Sequence, residues 1–278
     1  MSDTARGGKD LVGRAQRADD ILRMMELFWE KTRQQEGEKV SMVQWPHPNR
    51  ETHVGVLKLY ARERHSPGNE IPLRCRAIVE SMEKRGGSLR PDALVWNQVL
   101  SAWASCGDEY KALAAANLLK QMQKKSQAAG VVVVVVVDAS SYSHVLRACA
   151  KSNTSPASKE LGGNVALQVW RDFHQHQPKL KASSYLYTFF LQACAYIKDP
   201  AIRDSEAEVA FLECCGNGKV NNHVLMEFQK TASPSVFDNL IGKVTNTMIS
   251  QKASAQSIFA QLPYEWTENA DQKTNWGW

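Results

Sequence analysis

The sequence predicts an all-α chain, an α-solenoid of antiparallel helix pairs wound into a right-handed superhelix. The first observation behind this is a block that recurs in register: Pro48 to Ala61, Leu89 to Ala104, Val137 to Ala150 and Leu180 to Ala195. Its ring residues, His53, Trp96, Tyr142 and Tyr187, stand 43, 46 and 45 residues apart. Self-similarity at a near-constant period of that size marks a repeat array. The second observation is the spacing inside the block. An aliphatic follows the ring residue at plus four (Leu57, Leu100, Leu146, Leu191) and Ala follows at plus eight (Ala61, Ala104, Ala150, Ala195). Such steps share one stripe of an α-helix, with small Ala where a second helix approaches closely.

Each block opens on a helix-start signal: Pro48-Asn49, Pro91-Asp92, Asp138 and Ser183-Ser184. These are the first, or A, helices. The second, or B, helices carry apolar pairs four apart, Ile78/Met82, Leu118/Met122 and Val169/Phe173. A small residue precedes each by three: Cys75, Ala115, Ala166. The same pattern is read over Ala15 to Lys31, with Ala18, Ile21, Leu22, Met25 and Phe28 on one side. The chain therefore begins in the second half of a unit. Either a degenerate helix occupies Ser2 to Gly13 or the sequence is N-terminally incomplete, and the weak capping face favours the latter.

Residues 1–49 are thus a partial first unit and linker. The array spans 50–233, with units at about 50–92, 93–138, 139–183 and 184–219 and a weak fifth from 220. Ser66-Pro67-Gly68-Asn69 and Gly107-Asp108 break the first two units internally, and a Ser/Asn/Gly-rich loop over 151–164 is expected in the third. Lys198-Asp199-Pro200 divides the fourth, whose B helix runs from about Arg203 to Cys215 before Gly216-Asn217-Gly218 ends it. The valines of Val131 to Val137 are read as a surface linker. Residues 234–278 form a short cap helix, from about Ser235 to Ile241, and a polar, Trp-rich tail.

Composition excludes some classes. A hydrophobic fraction of 43% with 23% charged residues is that of a soluble protein, and no apolar run approaches the ~20 residues of a membrane span. The net charge of +5 permits nucleic-acid binding without demanding it. The six Cys show no C-x-x-C spacing and read as small buried hydrophobes. Acidic residues at Asp3, Asp10, Asp19 and Asp20 argue against a transit peptide.

The Pro91-Asp92 start, the Trp96-Asn97 pair, the Ala-rich first helix and the Leu118-Leu119-x-x-Met122 second helix resemble the pentatricopeptide repeat family. The likeness covers roughly 50 to 215 and is most specific in the second unit. The period departs from it: the family's unit is near 35 residues, and the longer one here also fits HEAT-type pairs. What the resemblance implies is single-stranded RNA binding, about one base per unit, in a mitochondrion or plastid, with no cofactor. The selecting side chains would be the residue after the ring and the last residue before the next unit. Carried over, these are Asn97 with Asp138, a pair associated with uracil, then Ser143 with Ser183, an uncommon pair leaning toward a purine, and Thr188 with an unassigned partner. Val54 with Asp92 would be mute, because valine cannot hydrogen-bond a base edge. Leu94 and Tyr185, two before the ring residue, would sandwich bases. Asn97, Asp92 and Asp138 also fit as plain caps or turn residues.

No phosphate-cradling loop, nucleophile elbow or paired catalytic carboxylates appear, so neither catalysis nor a metal is expected. His174-Gln175-His176 with Cys214-Cys215 lacks metal-ligand spacing. The competing expectation is a tetratricopeptide-type protein scaffold or a non-catalytic subunit of an RNA-processing complex.

Overall fold

The computed structural model describes residues 6–34, 48–62, 68–127, 137–176, 179–245 and 255–271. These form helices and turns, with no strand among the described residues. The helices are α1 (Arg6–Gln34), α2 (Arg50–Arg62), α3 (Glu70–Arg85), α4 (Ala93–Ser105), α5 (Lys111–Gln127) and α6 (Ala139–Ala150). They continue as α7 (Pro156–His176), α8 (Ser184–Cys194), α9 (Pro200–Gly216), α10 (Asn222–Thr231), α11 (Pro234–Thr245) and α12 (Ala255–Phe259).

The A helices α2, α4, α6, α8 and α10 each pack on the next in chain order. Helices α3, α5, α7 and α9 each pack against the A helix before and the A helix after them, and α5 also packs on α7. The recurring stripe explains this. His53, Trp96, Tyr142 and Tyr187 are buried, as are Leu57, Leu100, Leu146 and Leu191. Ala102, Ala148 and Ala193 let neighbouring A helices close on one another. The aromatic core is densest between the third and fourth units, where Trp170 stacks on Phe190 with centroids 4.2 Å apart. All six cysteines are buried and free. Burial pushes the Cys149, Cys194 and Cys214 thiols well up and Cys215 up to about 12, so they pack as neutral groups.

Several expectations are corrected. Helix α1 starts at Arg6, which absorbs part of the degenerate helix sought in Ser2 to Gly13. Its buried line is Ala15, Asp19 and Leu22, whereas Ile21 and Phe28 face outward. The cause is Asp19, wholly buried although acidic. Its carboxylate accepts from Arg74 Nε and Nη2, both at 2.6 Å, and from Tyr60 Oη at 3.1 Å. Burial opposes the charge, but these partners and Arg23 outweigh it and hold Asp19 below its ordinary pKa.

The loop expected over 151–164 is largely helix. Helix α7 begins at Pro156 and runs straight through Gly162-Gly163. A Cβ at Gly162 would meet Cys149 O at 2.7 Å, and one at Gly163 would meet Tyr196 C at 3.1 Å. Both glycines serve close helix approach, not chain reversal. Ala195 is exposed because α8 ends one residue earlier, and Ala61 is only half-buried. Helix α9 starts at Pro200, capped by Asp199. Of the valine run only Val137 lies within the described residues, and it is buried.

Candidate nucleic-acid interface

Every A helix from α4 onward begins on a side-chain cap. Asp92 Oδ1 accepts from Val95 N at 3.1 Å, and Asp138 forms a capping box with Ser141. Ser183 Oγ accepts from Leu186 N at 3.3 Å, and Asn221 Oδ1 accepts from Val224 N at 2.9 Å. Each cap leaves an extended connection and satisfies orphan N–H groups of the first turn.

Polar contacts tie these starts together. The Arg50 guanidinium at the head of α2 pairs with Asp92 at the head of α4. Asn97 Nδ2 donates to Asp138 Oδ1 at 3.2 Å, joining α4 to the cap of α6. The Asn97 carbonyl accepts from Ser141 Oγ at 2.8 Å, so both ends of the amide are engaged and the residue is 3% exposed. Farther along, Ser184 Oγ donates to Lys219 O at 2.7 Å, just ahead of the Asn221 cap.

The other expected residues are placed as follows. Leu94, in the first turn of α4, is 51% exposed. Ser143 and Ser183 are half-buried and bond locally: Ser143 Oγ donates to Ala139 O at 2.9 Å, while Ser183 caps α8. Thr188 is buried and donates to Ser184 O at 2.8 Å. Val54 is buried. Of the expected pairs with polar members, Asn97 with Asp138 is brought into direct contact.

Three of the four ring residues end in polar pairings. His53 Nε2 lies 3.1 Å from Glu26. Tyr142 Oη donates to Asp172 at 2.8 Å and accepts from Gln123 Nε2 at 2.9 Å. Tyr187 Oη donates to Glu213 at 3.0 Å and accepts from Asn217 at 2.8 Å. Burial and the adjacent carboxylates push both phenols well above their ordinary pKa. Trp96 lies under the Lys125 ammonium, 4.5 Å from its ring centroid, and that ammonium also meets Glu83 at 2.6 Å.

Among the described A helices, α2 carries the exposed cations Lys58 and Arg62, whereas other basic groups are engaged. Arg50 is paired with Asp92, and Arg147 is buried with Nη2 3.4 Å from Ser105 Oγ. Burial and then Arg147 push His144 down to about 4, so it is neutral at pH 7. Four further exposed cations, Arg90, Lys124, Lys179 and Lys181, sit where B helices give way to A helices.

Asn221, the cap of α10, was missed. Asp92, Asp138 and Ser183 stand 46 and 45 residues apart, but Asn221 follows after only 38, so the period concealed it. The Asn221-Asn222 pair after Val220 is the signal that marks it. Asp271 was missed as well: its carboxylate accepts from Ser184 N at 2.6 Å, a contact across 87 residues with no local signature.

Among the described residues, no three His, Cys, Asp or Glu side chains group where they would hold a metal ion. No helix among them is long and apolar enough to cross a membrane. No family model matches the chain, and neither a curated protein nor a solved structure does.

Proposed function

We propose that the chain is an α-solenoid of antiparallel helix pairs in a right-handed superhelix that binds single-stranded RNA. It would act without catalysis in RNA processing, stability or translation within a mitochondrion or plastid, as the resemblance to pentatricopeptide repeats implies. The packing of A helix on A helix, with B helices bridging, supports the solenoid.

One observation carries the RNA reading. Asn97 and Asp138, 41 residues apart, meet at 3.2 Å at the two positions the resemblance pairs for base selection. Leu94 stands exposed three residues before Asn97, an apolar surface open to a base. Bases would lie against Leu94 and Tyr185, with the backbone following Arg90, Lys124, Lys179 and Lys181. Four phosphate contacts on a single strand give a log K against log salt slope of about −3.

Labelled single-stranded RNA pools, titrated with the full chain by anisotropy at two salt concentrations beside a duplex, test this. Single-strand preference, a slope near that value and severalfold weaker binding by Leu94→Ala are the expected result. No binding, or equal binding to the duplex, would overturn it.

A second reading has its own observation. The Asn97 amide is engaged at both ends and almost inaccessible, which favours a structural role. Ile202, Val209 and Leu212 are exposed along one side of α9. A protein-binding scaffold of the tetratricopeptide type, or a non-catalytic subunit of an RNA-processing complex, uses such surfaces.

A further inference from the structure

A cleft of about 600 Å³ opens between the C-terminal end of α7, the connection into α8, the end of α9 and Asn269. That volume suits a small organic ligand. Its walls combine two chemistries. Half-buried Leu180 supplies apolar surface backed by the buried Phe173 and Ala182, and Lys179, Lys181 and Lys219 line the cleft from two separate connections.

The lysines are not needed to finish a helix. The last carbonyls of α9 already accept from Asn217 N at 3.0 Å, Gly218 N at 3.0 Å and Lys219 N at 2.9 Å. Nor does the acidic wall residue neutralise them. Glu213 is held by Tyr187 Oη at 3.0 Å and faces His174 Nε2 at 3.4 Å. Asp271, beside the cleft, faces Lys219 at 3.6 Å. That same carboxylate sits on Ser184 N at 2.6 Å, so this corner of the molecule already holds one anion of its own. Lys179 and Lys181 remain exposed on the cleft.

We propose that this cleft binds a nucleoside phosphomonoester, its phosphate on Lys179 and Lys181 and its base against Leu180 and the exposed ring of His174. A free mononucleotide and the 5′ end of an RNA share that chemistry. The site goes beyond the repeat-by-repeat reading and does not depend on it, because the mononucleotide measurement involves no oligonucleotide.

The test uses the full chain, with adenosine 5′-monophosphate and adenosine as probes in calorimetric titrations. Adenosine should bind at least about tenfold more weakly, and Lys179→Gln/Lys181→Gln should lower nucleotide affinity about tenfold or more. Both lysines are exposed, so the variant should melt as the parent does. A second arm compares one short RNA carrying a 5′ phosphate or a 5′ hydroxyl. Lysine-dependent preference for the phosphorylated end assigns the cleft to RNA termini, and mononucleotide binding without it assigns the cleft to free nucleotides. Equal affinity for nucleotide and nucleoside, no nucleotide binding, or binding unchanged in the double variant overturns the proposal.

Discussion

Replacing Asn97 with Ala separates a structural amide from one that reads a base. The substitution removes the bond to Asp138 at 3.2 Å and the bond from Ser141 Oγ at 2.8 Å. Neither partner is left bare. Asp138 Oδ1 keeps Ser141 N at 2.8 Å and Ser141 Oγ keeps Asp138 N at 3.3 Å, so the capping box survives, and the one hydroxyl proton of Ser141 turns to Asp138 Oδ1 at 2.9 Å. The loss is therefore one neutral bond and one charge-assisted bond, about 2 kcal/mol in total. For a chain of this length that is a fall in Tm of roughly 4–8 °C. Chemical denaturation of Asn97→Ala, Asp138→Ala and the double variant measures the coupling directly, and about 1 kcal/mol or more is expected between the pair. If Asn97→Ala is as stable as the parent, the amide network is not what holds the heads of α4 and α6 together. The same variants belong in the RNA titration, where a lost uracil preference without lost stability reverses the structural assignment.

Two further substitutions test the corrected elements, and a third serves as their control. Asp19→Ala strips Tyr60 and Arg74 of a wholly buried carboxylate and should cost about 3 kcal/mol by denaturant unfolding; a cost under about 1 kcal/mol refutes the buried ion pair. Because the folded pKa of Asp19 is lowered, its contribution is complete above the unfolded value of 3.8 and is lost as pH falls through the folded value. The variant should therefore lose less stability than the parent below about pH 4. Gly162→Ala meets Cys149 O at 2.7 Å and should destabilise by about 1–3 kcal/mol. Gly55→Ala in α2, with open space around its Cβ, should stabilise by about 0.5–1 kcal/mol. Melting curves of the two glycine variants moving in the same direction would refute the close-packing account.

The A helices were legible because their buried stripe is apolar or aromatic at each turn, from Trp96 through Leu100 to Ala104 and from Tyr142 through Leu146 to Ala150. Where the buried line includes a charge, the pattern misleads. Asp19 beside Asp20 looks like a solvent face, yet it is buried because Arg74, 55 residues away, reaches it. Glycine misleads in the same way. Gly162-Gly163 reads as a loop until α6 and the turn after α8 press against it. The candidate site was legible as positions, not as environments. Spacing found Asn97 and Asp138, but that Ser141 would close the other end of the amide follows from helix register across two units.

That second contact of the amide decides how an RNA could use this surface. An amide offers two N–H donors and two carbonyl lone pairs, and Asn97 has committed one of each. A base edge must then address the remaining N–H and lone pair on a residue only 3% exposed, or break a bond to Asp138 or Ser141. Breaking one costs about 1–2 kcal/mol, as much as one hydrogen bond to a base returns. Affinity at this unit must therefore come from stacking on Leu94 and from phosphate contacts along the exposed lysines, neither of which reads sequence. If the chain binds RNA through this face, it should bind single strands with a weak preference among bases. Strong uracil selectivity would require Asn97 to swing out of its present bonds.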